Sequence, residues 1–363
     1  MPALTNKNVP STALMDLTER LVPLPDVLHV VAFPRWKWPV IRQCFQGRTL
    51  RFVHADAVTH EARCLVLWGK APVPPGAASD VKVLRVEDGF LRSVGLGAEL
   101  VRPMSWVVDT RGIYYDATRE SDLEWMLGHA EFSQTLLERA RVLRERIVAS
   151  GLTKYNVGAQ VWQRPSHARH VILVPGQVES DASIAFGAPG LRRNMDLLQQ
   201  VRQANPDAFV VYKPHPDVAA RLRITGANEA RAHDWCDEVV TDVPMNTLLD
   251  SVDEVHVLTS LTGFEALLRG KTVACYGQPF YSGWGLTQDL LPNARRQRAL
   301  NLDALVACAL MLYPLYMDRQ GNGLITPEQA LDQLAVWKAG TSGAQPWWKE
   351  IYRFFLRRFI GVR

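Results

Sequence analysis

The stretch SVDEVHVLTSLTGFEALLRGKTVACYG, residues 251–277, decides the fold class of this 363-residue chain. It holds an apolar, β-branched run at Val255–Leu258, a Leu- and Ala-rich segment at Gly263–Arg269 and a second apolar run at Thr272–Tyr276. Strand, helix and strand at this spacing are typical of a βαβ unit, in which the two strands are parallel. We therefore expect an α/β protein with a doubly wound parallel sheet in this half.

The alternation continues towards the N-terminus. Strands are expected at Val171–Val174 and Phe209–Tyr212, with a helix around Met195–Ala204 between them. Short apolar runs separated by Pro, Gly and charged residues indicate a second buried sheet in the first half of the chain. These runs are Val27–Phe33, Leu50–His54, Cys64–Trp68 and Val83–Val86.

Between the two sheets, the capping-box pattern at 121–124 (SDLE) predicts one long helix that ends at Ser150-Gly151. The following segment, 151–170, mixes Gly, Pro and basic residues and is the best candidate for an interdomain connection. At about 150 residues per domain, the length favours two domains. We expect the first over residues 1–155, the second over 156–340 and a separate C-terminal segment over 341–363.

The composition excludes several classes of protein. Five cysteines are an odd number and widely spaced, so neither a disulfide framework nor a zinc site is expected. The N-terminus lacks the basic-then-apolar order of a secretory signal, and the best uncharged apolar run, Ala304–Tyr313, is too short to span a bilayer. These features predict a cytoplasmic protein without transmembrane helices.

Two loops of the second half are suited to binding an anion, because ligands of parallel sheets bind at the carboxyl ends of the strands. Lys213 and His215 follow a strand in the string YKPHP and present hydrogen-bond donors; a solvated surface turn is the simpler alternative. Ser260 and Thr262 lie at the start of a helix, where backbone N–H groups bind phosphate, and Glu265 is suited to a ribose diol. An ordinary helix N-cap is the alternative here.

Two further loops carry carboxylates. VPGQVESDAS at 174–183 places the Gln177 amide and the Asp181 carboxylate in the same presumed cleft, and Asp181 is a candidate nucleophile or base. VEDGFLRS at 86–93 offers Glu87, Asp88 and Arg92 from the first half. Helix capping by Asp181 and a solvated charged loop at 87–92 are the simpler interpretations.

Missing motifs narrow the chemistry. The chain has no DxD pair of the kind that holds a metal-bound sugar nucleotide, no P-loop and no GxSxG elbow. GLGAEL at 95–100 lacks the third glycine of a dinucleotide fingerprint. Metal-dependent, ATP-dependent and dehydrogenase functions are therefore disfavoured, and no metal site is predicted.

Six strings resemble, in order, the module of KpsC-type capsule polysaccharide proteins, which are β-Kdo glycosyltransferases that use CMP-Kdo. They are EDGFLRSVGLG, GIYYDA followed by SDLEWML, VPGQVESDASI, YKPHPD, LTSLTGFEALLRG and YGQPFYSGWGLTQD, and the similarity covers about Val86 to Glu328. The resemblance implies a GT-B architecture of two Rossmann-like domains that face a cleft. It also implies a donor with a single phosphate, bound by the C-terminal domain without a metal or other cofactor.

The resemblance implies roles for the candidate residues. His215, Ser260, Thr262 and Glu265 would hold CMP together with Gln177, and Lys213 would add positive charge. Because donor and product of this family share the β configuration, the reaction would retain it. We then expect double displacement, with Asp181 as nucleophile, Glu87 or Asp88 as the base for the acceptor, and Arg92 on the sugar carboxylate or in an ion pair. Tyr281, Trp284 and Gly285 would shape the cleft or pack at the domain interface.

KpsC-type proteins carry two such modules in tandem, whereas this chain holds one. A single module forms one linkage, so transfer of one Kdo to a lipid-linked or saccharide acceptor in capsule or lipopolysaccharide biosynthesis is the simpler expectation. An alternating polymer would require a partner glycosyltransferase. Two alternatives remain: a transferase for another CMP-activated acidic sugar, and a catalytically silent module that binds capsule precursor or scaffolds capsule assembly.

The basic segment 347–363, WWKEIYRFFLRRFIGVR, predicts peripheral attachment to the inner membrane. On a helix its aromatic and aliphatic residues share one face and its basic residues lie on another, an arrangement suited to an anionic bilayer surface. Packing of this helix on the protein or on a second subunit is the alternative. Elsewhere no basic stripe supports nucleic-acid binding.

Overall fold

The computed structural model describes residues 24–94, 102–154, 156, 158–321 and 323–341. Within these residues the chain forms two sheets, each with helices packed on it. The first sheet has the strand order β13-β12-β5-β4-β3-β1-β2. Its strands are β1 (Val27–Val31), β2 (Thr49–Val53), β3 (Cys64–Trp68), β4 (Lys82–Asp88), β5 (Ser105–Asp109), β12 (Pro314–Met317) and β13 (Leu324–Ile325).

The four apolar runs of the first half form the parallel part of this sheet, as expected. β1 pairs in parallel with β2 and β3, and β3 pairs in parallel with β4. All four side chains of Cys64–Leu67 are buried, which is typical of a strand covered on both faces. β5 then pairs antiparallel with β4, and the sheet is continued in the antiparallel sense by β12 and β13.

The second sheet is parallel in each of its described pairings, with the order β11-β10-β9-β6-β7-β8. Its strands are β6 (Val171–Pro175), β7 (Phe209–Lys213), β8 (Glu238–Val239), β9 (Glu254–Val257), β10 (Thr272–Cys275) and β11 (Gln288–Asp289). The strands expected at 171, 209, 255 and 272 are therefore present within one or two residues. The predicted α/β, GT-B-like arrangement of two parallel-rich sheets is confirmed.

The helices connect and cover these strands. They are α1 (Trp38–Cys44), α2 (Asp122–His129), α3 (Gln134–Ala149), α4 (Ala182–Gly187), α5 (Asn194–Ala204), α6 (Pro216–Ala219), α7 (Met245–Ser251), α8 (Leu261–Leu268), α9 (Leu302–Val306) and α10 (Pro327–Thr341). A π-helical turn, Ala307–Leu312, follows α9. In the described part of the chain no helix is long and apolar enough to cross a bilayer.

The single long helix expected from 121 to 150 is wrong, because the chain forms two helices there. Ala130 is extended and ends α2, and Ser133 begins α3 by accepting a hydrogen bond from Leu136 N–H at 3.2 Å. Ser121 caps α2 in the same way, by accepting from Glu124 N–H at 3.1 Å. A second N-cap serine therefore interrupts a stretch whose composition alone favours one continuous helix.

The C-terminal part of the chain returns to the first sheet. β12 lies beside β5, with Leu315 opposite Trp106, although residues 314–325 fall in the range predicted for the second domain. The range predicted for the second domain, 156–340, thus contains two strands, β12 and β13, that belong to the first sheet. The predicted amphipathic helix at 347–363 lies outside the described residues.

Candidate active site

The carboxyl ends of strands from both sheets meet at one cleft of about 460 Å³. Its walls include all ten residues that the sequence selected as a candidate site. These are Glu87, Asp88, Arg92, Gln177, Asp181, Lys213, His215, Ser260, Thr262 and Glu265. The first three come from the end of β4 and the loop after it. The other seven come from the end of β7 and from the loops and helix α8 that follow strands of the second sheet. The two halves therefore face each other across one cavity.

On the wall formed by the first sheet, Arg92 and Asp88 form an ion pair. Arg92 Nε donates to Asp88 Oδ2 at 2.7 Å, and Nη1 donates to Ser93 Oγ at 3.2 Å. The Arg92 side chain is buried, and the Tyr114 hydroxyl donates to the Asp88 carbonyl at 3.3 Å. The ion-pair alternative for Arg92 is therefore the one the structure contains. Asp88 is engaged by groups of its own wall.

Glu87, the residue before Asp88, has a different environment. Its Oε1 accepts a hydrogen bond from Asp88 N–H at 3.0 Å. Burial, followed by the neighbouring Asp88 carboxylate, raises the pKa of Glu87 to about 8, and the Asp181 carboxylate adds to this rise. A carboxyl group with a raised pKa can both give and take a proton near neutral pH, which general acid–base catalysis requires. Of the two candidates for the base, Glu87 thus has the better electrostatic properties.

Asp181 lies on the opposite wall, at the start of α4. Its Oδ1 accepts a hydrogen bond from Ser183 N–H at 3.0 Å, so it caps this short helix, as the simpler interpretation of its sequence predicts. The side chain is nevertheless exposed to the cleft. The cap orients the carboxylate and uses one of its oxygens. Capping and a chemical role are therefore compatible for this residue.

His215 also caps a helix while lining the cleft. Its Nδ1 accepts from Asp217 N–H at 3.2 Å, which assigns the proton of the neutral ring to Nε2. Burial, with a smaller effect of the Lys154 charge, lowers the pKa of His215 to about 3. The ring is neutral at physiological pH and can act as an Nε2–H donor to an anionic or hydroxyl ligand.

Lys213 contributes positive charge from a buried position at the end of β7. Its Nζ donates to the Thr241 carbonyl at 2.9 Å, and burial lowers its pKa to about 8, against the opposing effect of Asp242. The ammonium is held in place by a backbone acceptor and retains further N–H groups. It is charged at neutral pH and adds a fixed cation to the wall that carries His215.

The loop between β9 and α8 has the predicted capping geometry. Ser260 Oγ accepts from Thr262 N–H at 3.2 Å and donates to Thr262 Oγ1 at 3.1 Å. Glu265 is buried one turn later, and its Oε1 accepts from Lys154 N–H at 2.6 Å. Burial raises the pKa of Glu265 to about 7, while Arg269 and Lys154 lower it. This carboxyl group therefore titrates in the physiological range.

Gln177 connects two loops of the second sheet. Its Nε2 donates to Thr259 Oγ1 at 3.1 Å, and its Oε1 accepts from Thr259 N–H at 2.9 Å. The amide is buried at the cleft wall, and both ends of it are used within the protein. The structure thus gives Gln177 a structural role: it holds the β6–α4 loop against the residue before Ser260.

Several cleft residues were not selected from the sequence. Lys37, Trp36 and Trp68 lie on the first-sheet wall, and Asn156 and Arg223 line other parts of the cleft. Trp68 ends β3 and Lys37 follows β1, so the rule that sites lie at the carboxyl ends of parallel strands was the available signal. Isolated Trp and Lys residues without a motif did not stand out in the sequence.

Residues of the aromatic motif at 280–285 differ in whether they line the cleft or pack in the core. Phe280 lines the cleft, whereas Tyr281 and Trp284 are fully buried in the core. The Tyr281 hydroxyl donates to the Ser260 carbonyl, and Trp284 Nε1 donates to the Phe280 carbonyl at 2.8 Å. Packing is therefore the role that the structure supports for Tyr281 and Trp284, and Tyr281 supports the Ser260 loop from behind.

The family model and the curated relative that match this chain both concern capsule polysaccharide proteins. The family model described as "Capsule polysaccharide biosynthesis protein" matches residues 64–317. Capsule polysaccharide modification protein LipA of Neisseria meningitidis serogroup A is 43% identical over an alignment of 313 residues that covers 84% of this chain and 44% of LipA. The chain therefore spans less than half the length of that relative.

Two solved structures are similar along nearly their whole length. The Thermosulfurimonas dismutans KpsC β-Kdo 2,7 transferase is 38% identical, with a TM-score of 0.72 and coverage of 86% of this chain and 99% of that one. The β-Kdo 2,4 transferase of the same KpsC is 30% identical, with a TM-score of 0.72 and coverage of 84% and 97%.

Proposed function

This chain belongs to the capsule polysaccharide biosynthesis family, and from that premise we propose that it is a retaining β-Kdo glycosyltransferase that uses CMP-Kdo. The observation that carries the proposal is the meeting of Asp181 and Glu87, from different sheets, in one cleft. Similarity to two β-Kdo transferases over nearly their full length supports the donor sugar. The acceptor is proposed to be a lipid-linked or free saccharide of the bacterial envelope.

The second-sheet wall would bind the CMP part of the donor. His215 Nε2–H and the N–H groups at the start of α8 are suited to its phosphate, beside the Lys213 ammonium. Glu265 is suited to the ribose hydroxyls through the carboxylate oxygen that Lys154 does not occupy. A single phosphate diester carries one negative charge, so we propose that these groups neutralise it without a metal.

In the first proposed step, an Asp181 oxygen attacks the anomeric carbon of Kdo while the bond from that carbon to the CMP phosphate oxygen breaks. The phosphate leaves with the bonding electron pair and needs no proton, because it departs as a stable anion. A covalent ester between Kdo and Asp181 results. The hydrogen bond from Ser183 N–H orients the attacking carboxylate.

In the second step, an acceptor hydroxyl attacks the same carbon, and Glu87 takes the proton of that hydroxyl. The Asp181 carboxylate leaves, and two inversions at the anomeric carbon restore the β configuration. Glu87 is the proposed base in preference to Asp88, because Asp88 is paired with Arg92 and the raised pKa of Glu87 suits proton transfer near neutral pH.

Incubation of the protein with CMP-Kdo and a panel of lipid-linked and saccharide acceptors tests the proposal. We expect release of CMP together with a β-linked Kdo product, and the linkage can be determined by NMR. The 2,7 linkage is the first to examine, given 38% identity to the 2,7 transferase against 30% to the 2,4 transferase. Faster turnover of CMP-sialic acid would reject the donor, and no CMP release with any acceptor would favour a silent precursor-binding module.

A further inference from the structure

The motif GIYYDA, residues 112–117, has no role in the proposed mechanism, although its Tyr115 lines the cleft. The motif follows β5 of the first sheet and contacts α4 of the second half, because Ala117 N–H donates to the Phe186 carbonyl at 3.2 Å. Asp181 caps the other end of α4. The motif therefore lies against the helix that positions the proposed nucleophile.

On its other side the motif is bound to the loop after β3. Lys70 Nζ donates to the buried Asp116 at 2.5 Å. The backbone of this loop is held at Gly69, whose N–H donates to the Val86 carbonyl at 2.9 Å and whose carbonyl accepts from Arg85 Nη1 at 2.5 Å. Both partners of Gly69 belong to β4. The loop is therefore fixed beside the end of the strand that carries the proposed base.

Gly69 brings the Tyr115 hydroxyl close to the Glu87 carboxylate. A Cβ atom at residue 69 would lie 2.5 Å from Tyr115 Oη and 2.8 Å from Glu87 Oε2. The two polar atoms thus converge on the side of Gly69 where any other residue would carry its side chain. Its φ of +47° is also a conformation that residues other than glycine rarely adopt. A glycine at this position therefore allows the two groups to meet at the cleft wall.

The Tyr115 hydroxyl keeps its proton and is available as a hydrogen-bond donor. Burial raises its pKa far above neutral pH, and the Glu87 and Asp181 carboxylates add to this rise. Among the described residues, the O–H group donates to no protein acceptor. Glu87 uses Oε1 to accept from Asp88 N–H at 3.0 Å, which leaves Oε2 on the side of the hydroxyl. A donor and an acceptor therefore lie next to each other, and both line the cleft.

We propose that Tyr115 is a further catalytic residue: its O–H donates a hydrogen bond to the oxygen of the acceptor hydroxyl while Glu87 Oε2 accepts the proton of the same hydroxyl. This inference rests on the proposed function, because it assumes that Glu87 is the base. A hydroxyl has one proton to donate and two lone pairs, so it can bridge the two groups.

In the transfer step the acceptor proton moves to Glu87, and the acceptor oxygen forms its bond to the anomeric carbon of Kdo. Asp181 leaves that carbon with the bonding electron pair, and Tyr115 keeps its own proton throughout. With one lone pair held by Tyr115 and the proton held by Glu87, the remaining lone pair of the acceptor oxygen is directed at the reacting carbon. Orientation of this kind accelerates a reaction between two bound groups.

The test separates the two half-reactions. The Kdo–enzyme ester is formed with CMP-Kdo, acceptor is then added, and single-turnover transfer is measured against pH. Tyr115→Phe should form the ester at the wild-type rate, whereas its transfer should be slower by about 10- to 100-fold, the scale of loss from a misplaced reactant. Because the lost hydroxyl is neutral, the midpoint of the pH profile should stay near 8, the value set by Glu87. Tyr316→Phe, which loses a hydroxyl bonded to the Leu310 carbonyl outside the cleft, is the control and should transfer normally.

Gly69→Ala tests the convergence of the two groups by a second route. Its Cβ would displace the Tyr115 hydroxyl or the Glu87 carboxylate, so transfer should fall while ester formation continues. Gly47→Ala is the matched control, because Gly47 also has a positive φ, +82°, but nothing lies within 4 Å of its Cβ position. It carries the same kind of backbone cost and should transfer normally. Normal transfer by Gly69→Ala would overturn the inference.

Three results for Tyr115→Phe would also overturn it. Unchanged transfer would remove Tyr115 from the reaction, and slower ester formation would place it on the donor instead of the acceptor. A shifted pH midpoint with an unchanged maximal rate would mean that Tyr115 only modifies the basicity of Glu87.

Glu87→Gln distinguishes failure of this inference from failure of the proposed function. Loss of transfer in Glu87→Gln, with normal transfer in Tyr115→Phe, would overturn only the role of Tyr115. Full transfer by Glu87→Gln would reject Glu87 as the base and the role of Tyr115 with it. Loss of transfer in both variants, with ester formation intact in Tyr115→Phe, supports both.

Discussion

At the scale of single residues, the Asp181 carboxylate has two roles: it caps α4, and it is the proposed nucleophile. Its Oδ1 caps α4, and its exposed position in the cleft suits nucleophilic attack. Asparagine caps helices about as well as aspartate does, so Asp181→Asn should preserve the local fold. An amide is a far weaker nucleophile than a carboxylate. The variant therefore separates the structural role of this residue from its chemical role.

For Asp181→Asn we predict that transfer falls by at least about 10³-fold, the scale of loss seen when a catalytic group is removed. Intact-mass measurement after addition of CMP-Kdo should show a Kdo adduct on the wild type and none on the variant. Asp196→Asn, an exposed change in the first turn of α5, is the control and should transfer normally. Substantial transfer by Asp181→Asn would remove Asp181 from the role of nucleophile.

Glu265 gives a pH-dependent prediction. Its pKa is raised to about 7, and in the proposed complex with CMP its ionised form would accept hydrogen bonds from the ribose hydroxyls. Affinity for CMP should therefore increase as the pH rises through about 7. His215 stays neutral over this range because its pKa is lowered to about 3. Above about 8 the affinity should fall again, since Lys213 then loses its proton.

Calorimetric titration of CMP between pH 5.5 and about 9 checks this bell-shaped dependence. Glu265→Gln should flatten the acidic side, apart from the contribution of the CMP phosphate itself, whose second pKa is about 6. Lys213→Met should flatten the alkaline side. If the acidic side of the curve is the same in Glu265→Gln and the wild type, Glu265 does not bind the ribose in its ionised form.

At the scale of elements, the sequence predicted strands better than it predicted helix boundaries. Continuous buried runs such as Cys64–Trp68 identify a strand directly, because a parallel sheet covered on both faces leaves no polar alternation. The break between α2 and α3 depends on the Ser133 side chain taking over an N–H group of the next turn. Whether the Ser133 side chain or a backbone carbonyl accepts this N–H depends on tertiary packing, which composition alone does not reveal.

The site shows a similar division at this scale. Residues within motifs, such as His215 and Glu265, were found because their chemistry follows directly after a strand or starts a helix. Lys37 and Trp68 were missed because they belong to separate elements, which come together only when β1 and β3 lie side by side. The hydrogen bonds of Gln177 to Thr259 were not foreseen for the same reason, since the two residues are 82 positions apart in sequence.

Gln177 provides the prediction at the scale of elements. In Gln177→Met the side chain keeps a similar volume, but Thr259 N–H loses its acceptor, and a buried unsatisfied donor costs about 1–3 kcal/mol. We expect urea unfolding to report a loss of this size. CMP should bind several-fold more weakly, because the Ser260 loop loses its connection to the β6–α4 loop.

Gln200→Met is the matched control, since Gln200 lies exposed on α5 and should change stability by less than about 0.5 kcal/mol. If Gln177→Met lowered the affinity for CMP without lowering the stability, Gln177 would contact the nucleotide itself. If Gln177→Met and Gln200→Met had the same stability and the same affinity for CMP, the Gln177–Thr259 hydrogen bonds would contribute nothing measurable to either property.

At the scale of the whole molecule, charged groups join the two halves away from the cleft. Glu124 lies on α2, the helix after β5 of the first sheet. Its carboxylate accepts hydrogen bonds from Arg295 Nε at 2.5 Å and from Arg296 Nη2 at 3.0 Å. Both arginines lie in the segment after β11 of the second sheet. Glu124 and Arg296 are buried, so removing either partner of this ion pair would strongly destabilise the fold. The return of β12 to the first sheet adds a second connection. Both depend on contacts between distant parts of the chain, which explains why the sequence-based domain limits missed them.

The net charge of the molecule leads to the last prediction. The 41 basic and 37 acidic residues give +4, and the segment 347–363 carries all of that excess: Lys349, Arg353, Arg357, Arg358 and Arg363 against Glu350. Residues 1–346 are formally neutral, so the net positive charge that would attract an anionic bilayer lies in this segment. Each basic residue near such a surface contributes about 1 kcal/mol, and the apolar face of the predicted helix would add to this.

Deletion of 347–363 should therefore abolish cosedimentation with vesicles that contain anionic lipid and leave CMP affinity unchanged. The triple variant Arg353→Gln, Arg357→Gln, Arg358→Gln keeps the apolar residues and tests the charge alone; we expect its binding to weaken by at least about 100-fold. Binding of the full chain should also decrease with salt, because screening weakens charge attraction at the bilayer surface. Equal vesicle binding with and without 347–363 would mean that this neutral body reaches its acceptor by another route, and that the aromatic face of the segment packs on protein.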